Sequence, residues 1–508
     1  MNDNNSSGNS NDINNTSVDL KLVKTGFWHL PKVFYAVLLI EFWERFAFYG
    51  LQAVAVIYFI KNFNIAESQA GILFSSFSAL VYALLTIGGL LGDKILGIRR
   101  TYVFGIIFLL VGYTLISFAH TVNTLYFAMG VVVIGNVLFK TNASNYVSRC
   151  FESNDPRIDS AFTYFYMSIN VGSFASMVLV PIIMQVFGSS VALGMCAFGM
   201  LVALLLYVIF YQRFKLADNN TGRNGKNMLL KIFLIVIAAL VLSYICSLLL
   251  NNLEYSKIAL YIISIIVVLI YFYIAINLNK NEAKGMYVAL VLLIQSVVFW
   301  ILYIQTATSM TLFALHNVRL NILSYTLPAG ITQSFNGFFI IVLSPILANW
   351  YIYQHKKGRP ITIPVKFVSG IFITSLCFIT LAVAGTFFAD NNAQISIIFL
   401  VLAYLIYSLG ELLVSAIGLS MVSQLLPKRL GGFAQGVWFL CSAIGIKIGG
   451  QLSGSLMIDS NADNLTILHA YVKLFYKLGL FACVLALIFT FMLKPLSRSL
   501  KQVLENRY

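Results

Sequence analysis

Charge is scarce in this chain. Charged residues fill 10% of its 508 positions, and acids are the rarer kind, 18 Asp and Glu against 33 Lys and Arg. So few charges cannot cover the surface of a soluble domain, and a 59% hydrophobic composition with mean hydropathy +0.87 excludes one. Disulfide and metal patterns are missing too. The cysteines (Cys150, Cys196, Cys246, Cys377, Cys441, Cys483) stand singly without C-x-x-C spacing and read as small packing residues. The histidines (His29, His120, His316, His355, His469) never pair at i, i+4, so no metal and no other cofactor is expected. No nucleophile elbow or paired catalytic Asp supports a hydrolase, and a sensor would be expected to carry a soluble signalling domain, for which there is no pattern. Residues 1 to about 20, rich in Asn, Ser and Asp, have no apolar core or small-residue cleavage site, and read as a disordered tail, not a signal peptide.

What the chain has is long apolar runs. About 14 of them reach spanning length, near 33–60, 70–92, 101–119, 124–148, 160–183, 190–212, 228–250, 257–277, 286–314, 327–353, 364–388, 394–424, 430–457 and 471–493. An even number puts both termini on one side. Basic residues test the count: nearly all of those in connections fall on the side of the termini, with Lys61, Lys257, Arg319, Lys473 and Lys477 on the other and Arg45, Lys140 and Lys447 within spans. Both termini are therefore expected to be cytoplasmic. Topology alone explains the net charge of +15, and no nucleic-acid partner is implied.

The polar connection 213–227 follows the sixth span and sets the organisation. A cytoplasmic tail (1–30), a six-helix bundle (31–213), a linker with an inserted helix pair (214–285), a second six-helix bundle (286–495) and a cytoplasmic tail (496–508) are expected. The inserted pair at 228–277 contains no intramembrane acid and reads as packing or lipid-facing structure. The fold class is all-α and integral to the membrane.

The few ions inside the spans carry the chemistry. In Glu41-Phe-Trp-Glu-Arg-Phe-Ala-Phe-Tyr-Gly50, helical spacing collects Glu41, Glu44, Arg45, Phe48, Tyr49 and Gln52 on one face. Charges at membrane depth cost a few kcal/mol or more unless they face a bundle interior or wet cavity, so this face is expected to line a pathway. Lys140, several turns inside the fourth span, needs a counter-charge. Only Glu41, Glu44 and Glu411 lie well inside the membrane, so Lys140 is expected beside Glu41 and Glu44 in a cluster able to exchange a proton.

The motifs resemble a known family. Gly88-Gly-Leu-Leu-Gly-Asp93-Lys-Ile-Leu-Gly97-Ile-Arg99-Arg100 is similar to the cytoplasmic loop motif of the major facilitator superfamily. The run E-x-x-E-R-F, Gly135-Asn-Val-Leu-Phe-Lys140 and Phe165-Tyr166-Met-Ser-Ile-Asn170-Val-Gly172-Ser173 resembles the proton-dependent oligopeptide transporter family. Ser334-Phe-Asn336, Gly410-Glu411 through Ser420 and Trp438-Phe-Leu continue the likeness. Tyr303-Ile-Gln305 through Ser309 and Phe313-Ala314-Leu-His-Asn317-Val resemble the bacterial di-/tripeptide permease subgroup.

That resemblance implies a major facilitator fold whose substrate site lies between its halves near the midplane. It implies a monomer in a bacterial inner membrane that imports di- and tripeptides with protons by rocking of the two bundles. Arg45, Tyr49, Tyr82, Lys140 and Asn170 match positions that hold the peptide carboxylate; Glu411 and Asn336, with Ser415 beside them, match those that receive the amino terminus; Trp300 and Trp438 would line side-chain pockets. Glu41, Glu44, Lys140 and Glu411 are the expected proton-coupling groups. The alternative is the same machinery carrying another small anion or amphiphile, for which Glu411 would be dispensable. Four positions depart from the family pattern. Phe48 replaces a tyrosine and Gly337 a proline. Gln52 and Ile304 replace an arginine and a glutamate, a charge pair that would join the halves; losing both leaves no orphan charge.

Overall fold

In the computed structural model, residues 30–505 are described apart from 152–156, 217–227, 323, 360 and 457–461. The expected N-terminal tail and the polar core of the linker thus lie outside the described residues. Helices α1 (Lys32–Phe63), α2 (Glu67–Leu90), α3 (Ile98–Ser117), α4 (Val122–Arg149), α5 (Ile158–Phe187) and α6 (Ser189–Ile209) form the first half. A short α7 (Tyr211–Leu216) precedes the inserted hairpin α8 (Met228–Asn251) and α9 (Leu253–Ile276). The second half comprises α10 (Lys280–Tyr303) with its continuation α11 (Ser309–Asn317), then α12 (Ser334–Lys356), α13 (Ile363–Phe387), α14 (Ile397–Leu425), α15 (Gly431–Gly454) and α16 (Asn464–Phe491). Fourteen stretches among the described residues are long and apolar enough to cross a membrane.

Each turn follows from local chemistry. Asn64 ends α1 in the left-handed conformation (φ 53°) that asparagine tolerates, its N–H returning to the Ile60 carbonyl. Thr121, Asn252, Asn279 and Asp463 cap their helices through side-chain oxygens. Gly88 lets α2 cross α4 closely, since a Cβ there would lie 1.7 Å from the Val137 carbonyl oxygen.

Two expectations need correction, and a third gains detail. The run 286–314 is not one helix: a 3-10 turn, Ile304–Thr306, breaks it, and Gln305 fills the break by donating to the Ile301 carbonyl (3.0 Å) and the Gly449 carbonyl (2.9 Å). The tail 496–508 contains most of a helix, α17 (Leu493–Glu505), whose Leu496, Leu500 and Val503 are buried while Lys501 stays exposed. Finally, Lys61, Lys257, Lys473 and Lys477 lie inside α1, α9 and α16, not in connections.

Both termini of the described chain lie at the end rich in Lys and Arg, here the basic end. The halves meet most closely toward the opposite end, where α2 packs on α15 and α5 on α12. A Cβ on Gly450 would sit 1.7 Å from Ser75 Oγ. Lys447 of α15, fully buried, donates to Ser76 of α2 and reaches the Leu253 carbonyl (3.4 Å), so it ties both halves to the inserted hairpin. Gly450→Val is expected to overpack this seam by about 1–3 kcal/mol and separate the halves there. Spin labels on α2 and α15 would record the lengthened distance.

Candidate functional site

A cavity of about 130 Å³ lies between the halves. Of the residues singled out in the sequence, Tyr49, Tyr82, Asn170, Trp300, Asn336, Glu411 and Ser415 line it. Tyr166, also on its wall, is 46% exposed.

The anionic pole belongs to the second half. Asn336 stands in the first turn of α12, fixed there by the preceding 3-10 turn Ala329–Gln333. Its Nδ2 donates to Glu411 Oε2 (2.8 Å) and to Ser408 Oγ (3.1 Å), which orients the α14 carboxylate. Ser415 lies one turn further along the same helix.

The cationic pole belongs to the first half and stands one ring behind the wall. Arg45 is bound by Glu44 through both Nε and Nη2 and lies 3.4 Å from Glu41 Oε1. All three are almost completely buried. Arg45 lies 5.4 Å from the Phe48 ring centroid and 6.0 Å from that of Tyr49. Lys140 Nζ lies 4.7 Å from the Tyr82 ring centroid, in electrostatic reach of Glu41 and Glu44, so the expected neighbourhood of this lysine is present. Glu41 Oε2 and Glu44 Oε1 have no hydrogen-bond partner among the described atoms, which leaves each carboxylate one oxygen able to accept a proton.

Trp438 does not line the cavity. Its ring fills the space over Gly418 and packs at 6.5 Å on Phe367, while its 6.4 Å approach to Trp300 makes it a backing for the tryptophan that does. A large aromatic on a glycine-bearing neighbour is drawn into that groove by burial.

Several wall residues were given no role from the sequence. Tyr303 sits one turn after Trp300, 4.7 Å ring to ring, and Gln333 three residues before Asn336. Helical spacing from the recognised residues was the available signal. Gln333 also answers what takes the place of the absent Gln52/Ile304 charge pair. Gln52 Nε2 donates to Gln333 Oε1 (3.3 Å), and Gln333 Nε2 donates to Thr311 Oγ1 (2.9 Å), so a neutral amide chain joins α1 to the second half. Ile304 is simply buried, against Gly449.

Comparison with known proteins identifies the family. The POT family profile matches residues 99–466. A dipeptide and tripeptide permease B from Photorhabdus luminescens is 38% identical over 485 residues, covering 95% of this chain and 99% of its own. One from Salmonella typhimurium is 38% identical over 477 residues, covering 93% and 97%. Among solved structures, tetrameric PepTSo2 is 34% identical with TM-score 0.81 over 92% of this chain and 99% of that one. A point mutant of the peptide transporter POT in complex with alafosfalin is 28% identical with TM-score 0.82, over 94% and 97%. By the family profile and by these identities and coverages, the chain belongs to the POT family, the proton-dependent oligopeptide transporters of the major facilitator superfamily.

Proposed function

We propose that this protein is a proton-coupled symporter that imports di- and tripeptides by alternating access, the basic end facing the cytoplasm. The observation that carries this reading is a single cavity with an Asn336-oriented Glu411 on one half and the Arg45 and Lys140 cations behind Tyr49 and Tyr82 on the other. A zwitterionic peptide has charges of opposite sign a fixed distance apart, which suits two such poles. The aromatic wall of Tyr82, Trp300 and Tyr303 leaves side chains loosely specified, so many sequences are accepted.

The close packing of α2 on α15 toward the end away from the basic one suits an inward-facing stage of the cycle. Glu41 and Glu44 supply proton acceptors next to the cation that holds the peptide carboxylate: a proton on either weakens its hold on Arg45 and frees the guanidinium for the substrate.

The test is uptake of a labelled dipeptide into proteoliposomes with and without an inward proton gradient. Accumulation above the external concentration is expected with the gradient, and equilibration only when it is collapsed. A protein that neither accumulates nor exchanges any dipeptide would overturn the peptide reading, and uptake indifferent to the gradient would overturn the coupling.

A further inference from the structure

A groove of about 510 Å³ runs between α12 and α13 toward the basic end, and it shares no residue with the cavity beside Glu411. Two of its residues on α12, Ile346 and Trp350, are 59% and 43% exposed, so it opens on the outside of the second bundle. The consecutive spans part here because each packs elsewhere, α12 on α14 and α5, α13 on α14 and α16. That leaves α14 as the floor, through Leu409 and Leu413, with Leu343 and Leu347 of α12 on one wall and Val365 and Ile373 of α13 on the other. We propose that this groove is a binding site for an anionic phospholipid, one acyl chain lying between α12 and α13 and the phosphate meeting Lys366.

The apolar part fits a chain. From Lys366 to Ile373 the helix rises about 10 Å, and over that length Ser369 is the one polar residue on the wall. Within a bilayer such a gap faces hydrocarbon, where an added polypeptide segment would have to satisfy its own backbone groups and an acyl chain has none to satisfy.

Lys366 sets the headgroup. Its side chain is half-buried, its ammonium stands 3.9 Å from the Tyr351 ring centroid, and among the described residues it forms no ion pair. It closes the first turn of α13, where the helix dipole disfavours a cation and favours an anion. A phosphate placed there answers both the unpaired ammonium and the dipole. Lys356, Lys357 and Arg359, all exposed, add positive potential at the same end. Trp350 on the groove and Tyr353 one turn beyond it, 52% exposed, mark the level at which headgroups begin. Leu409 and Leu413 stand two positions either side of Glu411, so an occupant bears on the helix that holds the anionic pole.

The experiment places the full chain in phosphatidylcholine vesicles with a rising fraction of lipid whose chains are brominated, either phosphatidylglycerol or phosphatidylcholine. Trp350 fluorescence is read in each background as the difference made by Trp350→Phe, and bromine quenches it on contact. Half-maximal quenching is expected at about fivefold lower fraction of the anionic lipid. Lys366→Gln should abolish that preference and Lys366→Arg should retain it. Leu347→Phe, which fills the groove without touching its charge, should weaken quenching by both lipids alike. Equal quenching by the two headgroups in wild type, a preference unchanged in Lys366→Gln, or undiminished quenching in Leu347→Phe overturns the proposal. Quenching that falls as protein is concentrated in the membrane does so too, because a second copy then occupies the groove. Binding is read here without transport, so the outcome is independent of the peptide reading.

Discussion

Glu411→Ala is expected to reduce dipeptide uptake by at least about thirtyfold, the loss that follows when one partner of a buried charge interaction is removed. Two effects add. The substrate's ammonium loses the carboxylate that would receive it, and the Asn336 amide keeps only Ser408 as partner, so α12 and α14 are joined by one side-chain hydrogen bond fewer beside the cavity. Parallel uptake of a dipeptide and its des-amino analogue separates them. In wild type the des-amino compound should be the poor substrate; in Glu411→Ala the difference between the two should largely vanish. If the variant carries the dipeptide at the wild-type rate, Glu411 does not receive the amino terminus, and the cargo is of another kind. Glu411→Asp, which retains the charge but withdraws it by one methylene, should fall between the two.

The spans were legible because a bilayer imposes a length on apolar runs, and the ionic cluster because charges in such runs are too costly to be incidental. Glu41, Glu44, Arg45 and Lys140 therefore came together as their spacing and scarcity required. What stayed hidden depends on where two helices cross. Gln52 read as the loss of a charge, and only the fold brings it to Gln333, 281 positions away. Lys447 read as one more basic residue in a span, yet it is the buried tie between α15, α2 and the hairpin. Trp438 matched a motif position but packs behind Trp300, because Gly418 offers its ring a groove. The break at 304–306 left no proline or glycine in the sequence; Gln305 makes it stable by donating to the Ile301 carbonyl beside it and to the Gly449 carbonyl of α15.

Glu44→Gln should uncouple transport from the proton while leaving the carrier able to move. Glu44 has no exposed surface and binds Arg45 through two nitrogens, so an amide of the same shape fills the site but accepts no proton and brings no charge. Arg45 then retains Glu41 at 3.4 Å as its counter-ion, and the buried cation is not orphaned. Gradient-driven accumulation of a dipeptide is expected to disappear, and exchange of labelled for unlabelled peptide across the same vesicles to persist. The contrast with Glu44→Ala sharpens the reading. That change opens a cavity beside a buried guanidinium and removes its closest partner, a loss of about 3–5 kcal/mol that falls on folding as well as on coupling. Exchange should therefore survive in the glutamine variant and fail in the alanine one. Accumulation that continues undiminished in Glu44→Gln would move the proton to Glu41, which has an unpartnered oxygen of its own and lies one turn nearer the basic end on the same face of α1.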